Sequence, residues 1–392
     1  MRPGQAVGTR DLFAGGTKMN DRERFLKTMR FETVDHPPFD NVNGPWEDTL
    51  ERWHKEGFPQ DNDFEEYFGV SMLSSTKMQY VGPVTGLYPP PEEKVISEKG
   101  HEIIKVDAYG RTVKDFKDST TMPEWIDFPV KNPADLERVI KEHFDLSLMD
   151  ARWKAALEDG FDSGGKKKKA WEGERGDDRD VILFLDGGCY YGILRNLAGV
   201  EYSSYLFHDA PELVDELFER INIICLEGIR KVCPRTGIDY LGFGEDIAYK
   251  TSTLISPAMF KRFLLPRYKK VCDAAKGYGV DIFYYDSDGN LNPFMDLYFE
   301  AGIDLFSPCE VAADMDPVEL RRRYGRKVKM VGGIDKREIA RGKENIKREV
   351  MKKIKVIEEG GYIPGIDHSI SSDISLENYT YFINLLKEIY CI

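Results

Sequence analysis

From residue 180 onward the chain repeats one pattern six times: a short apolar run, a polar loop, then an amphipathic stretch of helical period. The apolar runs lie at 181–185, 240–243, 280–285, 303–306, 328–331 and 362–363. Parallel strands need a crossover of a dozen or more residues, usually a helix, so this alternation predicts a parallel sheet covered by helices. Two earlier candidates, near Phe39 and near Met78, bring the strand count to eight. Eight strand–helix units predict an α/β chain closed as a (β/α)8 TIM barrel. No GxGxxG follows any of the strands, which weakens a dinucleotide-binding reading.

Helix starts are marked by their chemistry. Asn20 with Glu23 forms a capping-box pattern, and Ser256-Pro257 puts a capping hydroxyl before a proline at the first helical position. Between 77 and 118 the period changes to short alternating runs separated by Lys99-Gly100 and Tyr109-Gly110. These are hairpin signals and predict a small antiparallel insertion in the N-terminal half. The stretch 160–180, with Lys166-Lys167-Lys168-Lys169, reads as a charged solvated loop. Residues 1–18 are expected to be a disordered tail or a non-native start, with a single barrel domain over 19–392.

With 392 residues, 41% of them hydrophobic, the chain has ample material for a large core. Its net charge of -13 repels phosphate backbones, so nucleic acid is not an expected partner. Six cysteines without a CxxC pair fit reduced thiols in a cytoplasmic protein. No apolar run is long enough to span a membrane.

The loops after barrel strands gather on one face, where catalytic groups collect. Asn41, Asn43, Asp186, Glu245, Asp246, Asp286, Asp288, Glu310, Asp335, Asp367 and His368 all follow predicted strands. Carboxylates crowded in one mouth repel each other unless a cation, a shared proton or hydrogen bonds hold them. Asp286 and Asp288, two apart, would point the same way in extended chain and face one ion or one substrate group. A divalent metal ion would relieve the repulsion between such carboxylates. Glu245, Asp246 and His368 are the candidate catalytic groups. Asn41, Asn43, Asp186, Tyr190, Tyr191, Arg195 and Tyr285 are the candidate substrate-binding residues, the tyrosines as walls of a pocket for a flat substrate.

Several segments together resemble the uroporphyrinogen decarboxylase superfamily: Asp186-Gly187-Gly188, Ser256-Pro257-Ala258-Met259-Phe260, Leu265-Pro266-Arg267-Tyr268, Gly332-Gly333-Ile334-Asp335 and Asp367-His368. The resemblance runs from about Asn20 to the C-terminus and implies the (β/α)8 barrel. True decarboxylases carry paired arginines after the first strand; here that segment is Phe39-Asp40-Asn41-Val42-Asn43. In the corrinoid-dependent methyltransferase branch, zinc is held by His-x-Cys after one strand and Cys after the last. Asp286, Asp288 and His368 fall on those positions, so oxygen and nitrogen donors replace sulfur; with Glu245 as a fourth they are the metal ligands the resemblance implies, zinc or another divalent ion being the expected occupant. The resemblance therefore implies a methyltransferase-like enzyme acting on a small substrate, a methoxylated aromatic being one class. A separate corrinoid protein would be its partner, and a homodimer is a further expectation. The alternatives are a decarboxylase of the uroporphyrinogen type and a binding barrel without activity.

Overall fold

In a computed structural model, the structure describes residues 19–40, 44–61, 63–73, 77–116, 122–158, 179–390 and 392, and the backbone of 161–163 and 166–168. Asn41 and Asn43, and the expected tail at 1–18, lie outside the described residues.

In chain order the strands are β1 (Phe39–Asp40), β2 (Met72–Leu73), β3 (Met78–Tyr80), β4 (Lys94–Lys99), β5 (Glu102–Val106), β6 (Thr112–Phe116), β7 (Glu124–Asp127), β8 (Phe161–Ser163) and β9 (Lys166–Lys168). They continue with β10 (Ile182–Asp186), β11 (Tyr240–Gly244), β12 (Ala248–Tyr249), β13 (Ser252–Thr253), β14 (Phe283–Asp286), β15 (Leu305–Ser307), β16 (Lys329–Ile334) and β17 (Tyr362–Ile366). All six runs expected after residue 180 are strands, and helices follow them. The described chain forms two compact units: Met1–Met78 with Asp178–Ile182 and Leu305–Ile392, and Gln79–Asp177 with Leu183–Asp304.

In the first unit β15, β16 and β17 run parallel and in order, and β1 pairs parallel with β2. Met29, Trp53, Ile346, Val350 and Phe382 are buried there. Asn20 and Glu23 make the expected capping box at the helix Asp21–Met29. Gly332 and Gly333, in β16, both take positive φ, and a Cβ on Gly333 would lie 2.2 Å from the Pro317 ring, so only glycine fits.

In the second unit β3, β10, β11 and β14 lie side by side, with β10, β11 and β14 parallel. The helices Tyr191–Asp209, Pro211–Val232, Leu265–Lys276 and Met295–Ala301 belong to the same unit. Ser256 caps as expected, its Oγ accepting from the Met259 amide at 3.2 Å. The insertion is larger than a hairpin: β4, β5, β6 and β7 form a four-stranded antiparallel meander. The expected charged loop at 160–180 contains a short strand pair. Lys166–Lys168 pairs antiparallel with Phe161–Ser163, so backbone bonds order a segment whose charge suggested none. Among the described residues no helix is long and apolar enough to cross a membrane.

Candidate functional site

Strand alternation divides the second unit's parallel sheet into two chemically distinct faces. Odd-numbered residues Leu183, Leu185, Leu241, Phe243, Phe283 and Tyr285 are almost wholly buried. Phe243 packs on Tyr268, and Tyr285 on Tyr298, both from helices. Even-numbered residues point the other way. Tyr80, Phe184, Tyr240 and Tyr284 form a row of touching rings across four strands, with centroids 5.7, 5.2 and 5.6 Å apart. Phe184 and Tyr284 are half-buried.

Continuing up the same face, the register sets Asp186 beside Gly242, and Gly244 beside Asp286. Gly242 and Gly244 contribute no side chain, and a Cβ on Gly244 would meet nothing within 4 Å. Two carboxylates therefore flank a bare strip of β11. They are two strand spacings apart across the sheet and two residues apart along it, roughly 12 Å. Asp286 is exposed and accepts from the Tyr284 hydroxyl at 3.2 Å. Asp186 accepts from the Gly188 amide at 2.8 Å and from the Thr85 hydroxyl. Burial pushes the Asp186 carboxyl above the ordinary aspartate range, against the pull of those two donors.

The loop after β11 makes the rim. Asp246 sits at φ 45°, a conformation uncommon for a residue with a side chain. Its two oxygens meet Arg195 Nη2 at 3.3 Å and the Asp288 amide at 3.5 Å. Asp246 thus lies against both Arg195 and the backbone of Asp288. The turn between β5 and β6 adds residues that sequence reading missed. Arg111 Nη1 donates to Asn196 Oδ1 at 2.8 Å, and the Arg111 guanidinium lies over the rings of Tyr109 and Trp125. Burial, with the neighbouring Cys189, raises the Tyr109 phenol to about 12.

Glu245 does not open onto this groove. It is buried, and its carboxylate accepts from the amides of Tyr190 and Gly192, both at 2.8 Å, and from the Tyr268 hydroxyl at 2.7 Å. It ties the loop after β11 to the start of the helix Tyr191–Asp209 and to the helix Leu265–Lys276. Burial raises it from 4.5 to about 7 despite these donors. Three of the carboxylate's acceptor positions are already taken, so a metal ion would compete with these donors for Glu245. Among the described residues no group of three or more His, Cys, Asp and Glu side chains is arranged to hold a metal ion.

The tyrosines expected as pocket walls are core residues. Tyr190, Tyr191 and Tyr285 are wholly buried, and Tyr190 donates to the Gly187 carbonyl while accepting from Asn222. On the opposite face of the strand Tyr284 is half-buried, whereas Tyr240 and Tyr80 of the same row are buried. Counting back in twos from Asp286 would have found Tyr284.

His368 belongs to the first unit, whereas Asp286 and Asp288 belong to the second. His368 is half-buried, its ring edge-on to Trp46 with centroids 6.4 Å apart. Its neighbour Asp367 is buried and accepts from the amides of Val311 at 2.9 Å and Lys336 at 3.1 Å. Burial lifts Asp367 to about 6. Asp335 caps the helix Lys336–Ala340 and pairs with Arg337. Asp367→Asn leaves one of its two amide donors facing an NH2 group. It is expected to cost about 1–3 kcal/mol in a urea titration at pH 7.5.

The fold and this arrangement define a class: an α/β scaffold with a polar site at the carboxyl ends of parallel strands. Residues 195–389 match the family model described as Uroporphyrinogen decarboxylase (URO-D). That stretch, just under half of the chain, carries its likeness to the uroporphyrinogen decarboxylase superfamily, a superfamily of enzymes. Among solved structures it is similar to a methyltransferase from Methanosarcina mazei, at 15% identity, TM-score 0.57, over 95% of this chain and 99% of that one. That likeness is one of fold. A B12-independent methionine synthase from Shewanella sp. W3-18-1 aligns at 10% identity and TM-score 0.38, over 90% of this chain and 96% of that one. No curated protein sequence matches the chain.

Proposed function

We propose that the chain is a cytoplasmic methyltransferase-like enzyme on a (β/α)8 barrel. It would move a methyl group between a methoxylated aromatic substrate and a separate corrinoid protein. The observation that carries this reading is the even-numbered face of the sheet, where Asp186 and Asp286 lie on either side of Gly242 and Gly244 beside the half-buried ring of Tyr284. A flat ring can lie against Tyr284, and the side-chain-free strip gives its substituent room. Two carboxylates on the groove and Asp246 on its rim disfavour a polycarboxylate substrate. Of the cations placed at the rim, Arg195 already pairs with Asp246 and Arg111 with Asp107. The decarboxylase reading, which needs several cations, is correspondingly disfavoured.

When bound, the partner's corrinoid supplies the nucleophile that accepts the methyl group. The chain's own residues orient the ether and manage one proton. Breaking the methyl–oxygen bond leaves a phenolate, which must be protonated. Asp186, whose raised affinity for a proton keeps more of it neutral than an ordinary aspartate, donates to that oxygen. Asp286 accepts from a hydroxyl on the other edge of the ring.

The test is release of the phenol from a panel of methoxybenzenes, with cob(I)alamin as acceptor, followed by chromatography. Demethylation is expected, and Asp186→Asn should lower kcat about 100-fold, the usual scale for a lost general acid. Conversion of uroporphyrinogen to coproporphyrinogen, with every ether left intact, would overturn the reading.

A further inference from the structure

One of the donors to Asp186 comes from a distant stretch of the chain. Thr85, buried in the irregular segment after β3, donates its hydroxyl to Asp186 Oδ2, while the Gly188 amide serves Oδ1 at 2.8 Å. The segment is pinned on both sides of Thr85. Arg152, from the helix Met149–Glu158, donates through Nη1 to the carbonyls of Val84 and Gly86, both at 2.8 Å. Its Nη2 donates to the His143 carbonyl at 2.5 Å, and the Val84 amide donates to the Arg152 carbonyl at 3.3 Å. One residue earlier, the Tyr80 hydroxyl donates to the Pro83 carbonyl. All of these residues belong to the second unit.

Arg152 is an unusual residue to find so deep. It is fully buried, its guanidinium carbon 5.7 Å from the ring centroids of both Tyr88 and Phe144. Burial lowers it to about 10, so it is still a cation at neutral pH. Burying a charge is costly unless its hydrogen bonds are made, and a methionine would fill similar space without that cost. What the guanidinium adds is a grip on Val84 and Gly86 at once. That grip fixes the backbone on either side of Thr85, and with it the direction of the hydroxyl.

The hydroxyl suits a group that gains and loses a proton. It donates to a carboxylate and accepts from a carboxylic acid, so it stays bonded to Asp186 in both states. Its bond is stronger to the ionised form, which opposes the upward pull of burial on this carboxyl. Titratable groups that feel the charge of Asp186 include Tyr80, Cys189, Tyr190, Cys225 and Glu245, all of them acids. Acids give an anion no relief, which raises the weight of the hydroxyl and the amide.

We propose that Arg152 is a positioning residue for this site, clamping the segment 84–86 so that the Thr85 hydroxyl stays on Asp186. The proposal rests on the reading of Asp186 as the proton donor, but the clamp itself is measurable without turnover.

The experiment is an NMR titration against pH of the full chain labelled at its aspartate carboxyl carbons, with circular dichroism to confirm folding. The Asp186 signal is assigned by its loss in Asp186→Asn. Thr85→Val, which puts a methyl in place of the hydroxyl, should move the Asp186 titration up by about one unit, and Thr85→Ser should leave it in place. Arg152→Met should move it in the same direction. Combined with Thr85→Val, it should add nothing further, because the hydroxyl it directs is already gone. Arg152→Lys, the milder change, gives the same comparison where Arg152→Met does not fold. An Asp186 titration indifferent to Thr85→Val overturns the proposal. So do Arg152 and Thr85 effects that add, because Arg152 then acts by another route. Activity on the methoxybenzene panel separates the two readings. Non-additive shifts with no ether cleaved uphold the clamp and overturn the role of Asp186 as acid, whereas ether cleavage with additive shifts does the reverse.

Discussion

Glu245→Ala is expected to lower folding stability by about 3–5 kcal/mol. Three donors converge on that carboxylate, the amides of Tyr190 and Gly192 and the hydroxyl of Tyr268, and all are buried with it. A buried donor left without an acceptor costs about 1–3 kcal/mol, and alanine leaves three of them plus a void. Glu245→Gln keeps one acceptor oxygen and turns an NH2 group toward a donor, so its cost should be smaller, about 1–2 kcal/mol. The two variants differ more sharply in their response to pH. Burial raises the carboxyl from 4.5 to about 7, so the folded chain holds this proton more tightly than the unfolded chain does. Its contribution to stability is therefore complete below the unfolded value near 4.5 and is lost as pH rises through about 7. That shift corresponds to about 3 kcal/mol of wild-type stability between pH 4.5 and 8. Glu245→Gln has no proton to lose. Its urea midpoint should vary less with pH than that of the wild type, and the difference between the two curves isolates this group from others, such as Asp367, that titrate in the same direction. A wild type and a Glu245→Gln variant with the same pH slope would mean that Glu245 is ionised in the fold throughout.

How much of this was legible in the chain depends on which physical signal carried it. Strand existence came from apolar runs in a fixed alternation with helices, a pattern repeated often enough to survive local ambiguity. The expected run at 240–243 became Tyr240–Gly244, and that at 328–331 became Lys329–Ile334. Orientation was harder. Tyr284 and Tyr285 are equally apolar and adjacent, and a buried run on both faces gives composition no reason to prefer either. The helix Met295–Ala301 decides it, because Tyr298 closes over Tyr285 with ring centroids 4.4 Å apart. Glu245 was misread as a mouth residue for a related reason. Chain position put it just past a strand, but its partners come from helices some 55 residues before and 23 residues after it. No local pattern encodes such contacts. The same holds for Tyr109 and Arg111, which read as one more hairpin turn until the insertion is seen to touch Asn196. The pairing of Lys166–Lys168 was hidden because backbone hydrogen bonds, which do not depend on side-chain charge, order that segment.

Gly244→Phe should abolish turnover while leaving the fold intact, the largest functional effect expected of any single change outside the carboxylates. Most glycine substitutions in this chain confound the two outcomes. Gly187 could not serve, because a Cβ there would lie 2.4 Å from the Phe243 ring, and steric strain alone would account for any loss. Gly242 is intermediate, its Cβ position 3.3 Å from Tyr284. Gly244 differs from both. It is exposed at the end of β11, does not occupy the left-handed region, and has open space where a side chain would grow. A phenylalanine there meets no backbone strain, and a tolerated surface position usually shifts stability by less than about 0.5 kcal/mol. Its side chain leaves the sheet on the even-numbered face, the face of Asp186 and Asp286, and so fills the strip on which the substrate is proposed to rest. Activity on the methoxybenzene panel should fall at least about 100-fold, equivalent to about 2.7 kcal/mol of lost transition-state stabilisation. The melting temperature should stay within about 2 °C. Gly244→Ala projects one methyl group into the same space and should lose far less. Full activity in Gly244→Phe would place the reacting centre elsewhere, because no ring could lie against Tyr284 beneath that side chain. An unstable Gly244→Phe beside a stable Gly244→Ala would show instead that something already fills the strip.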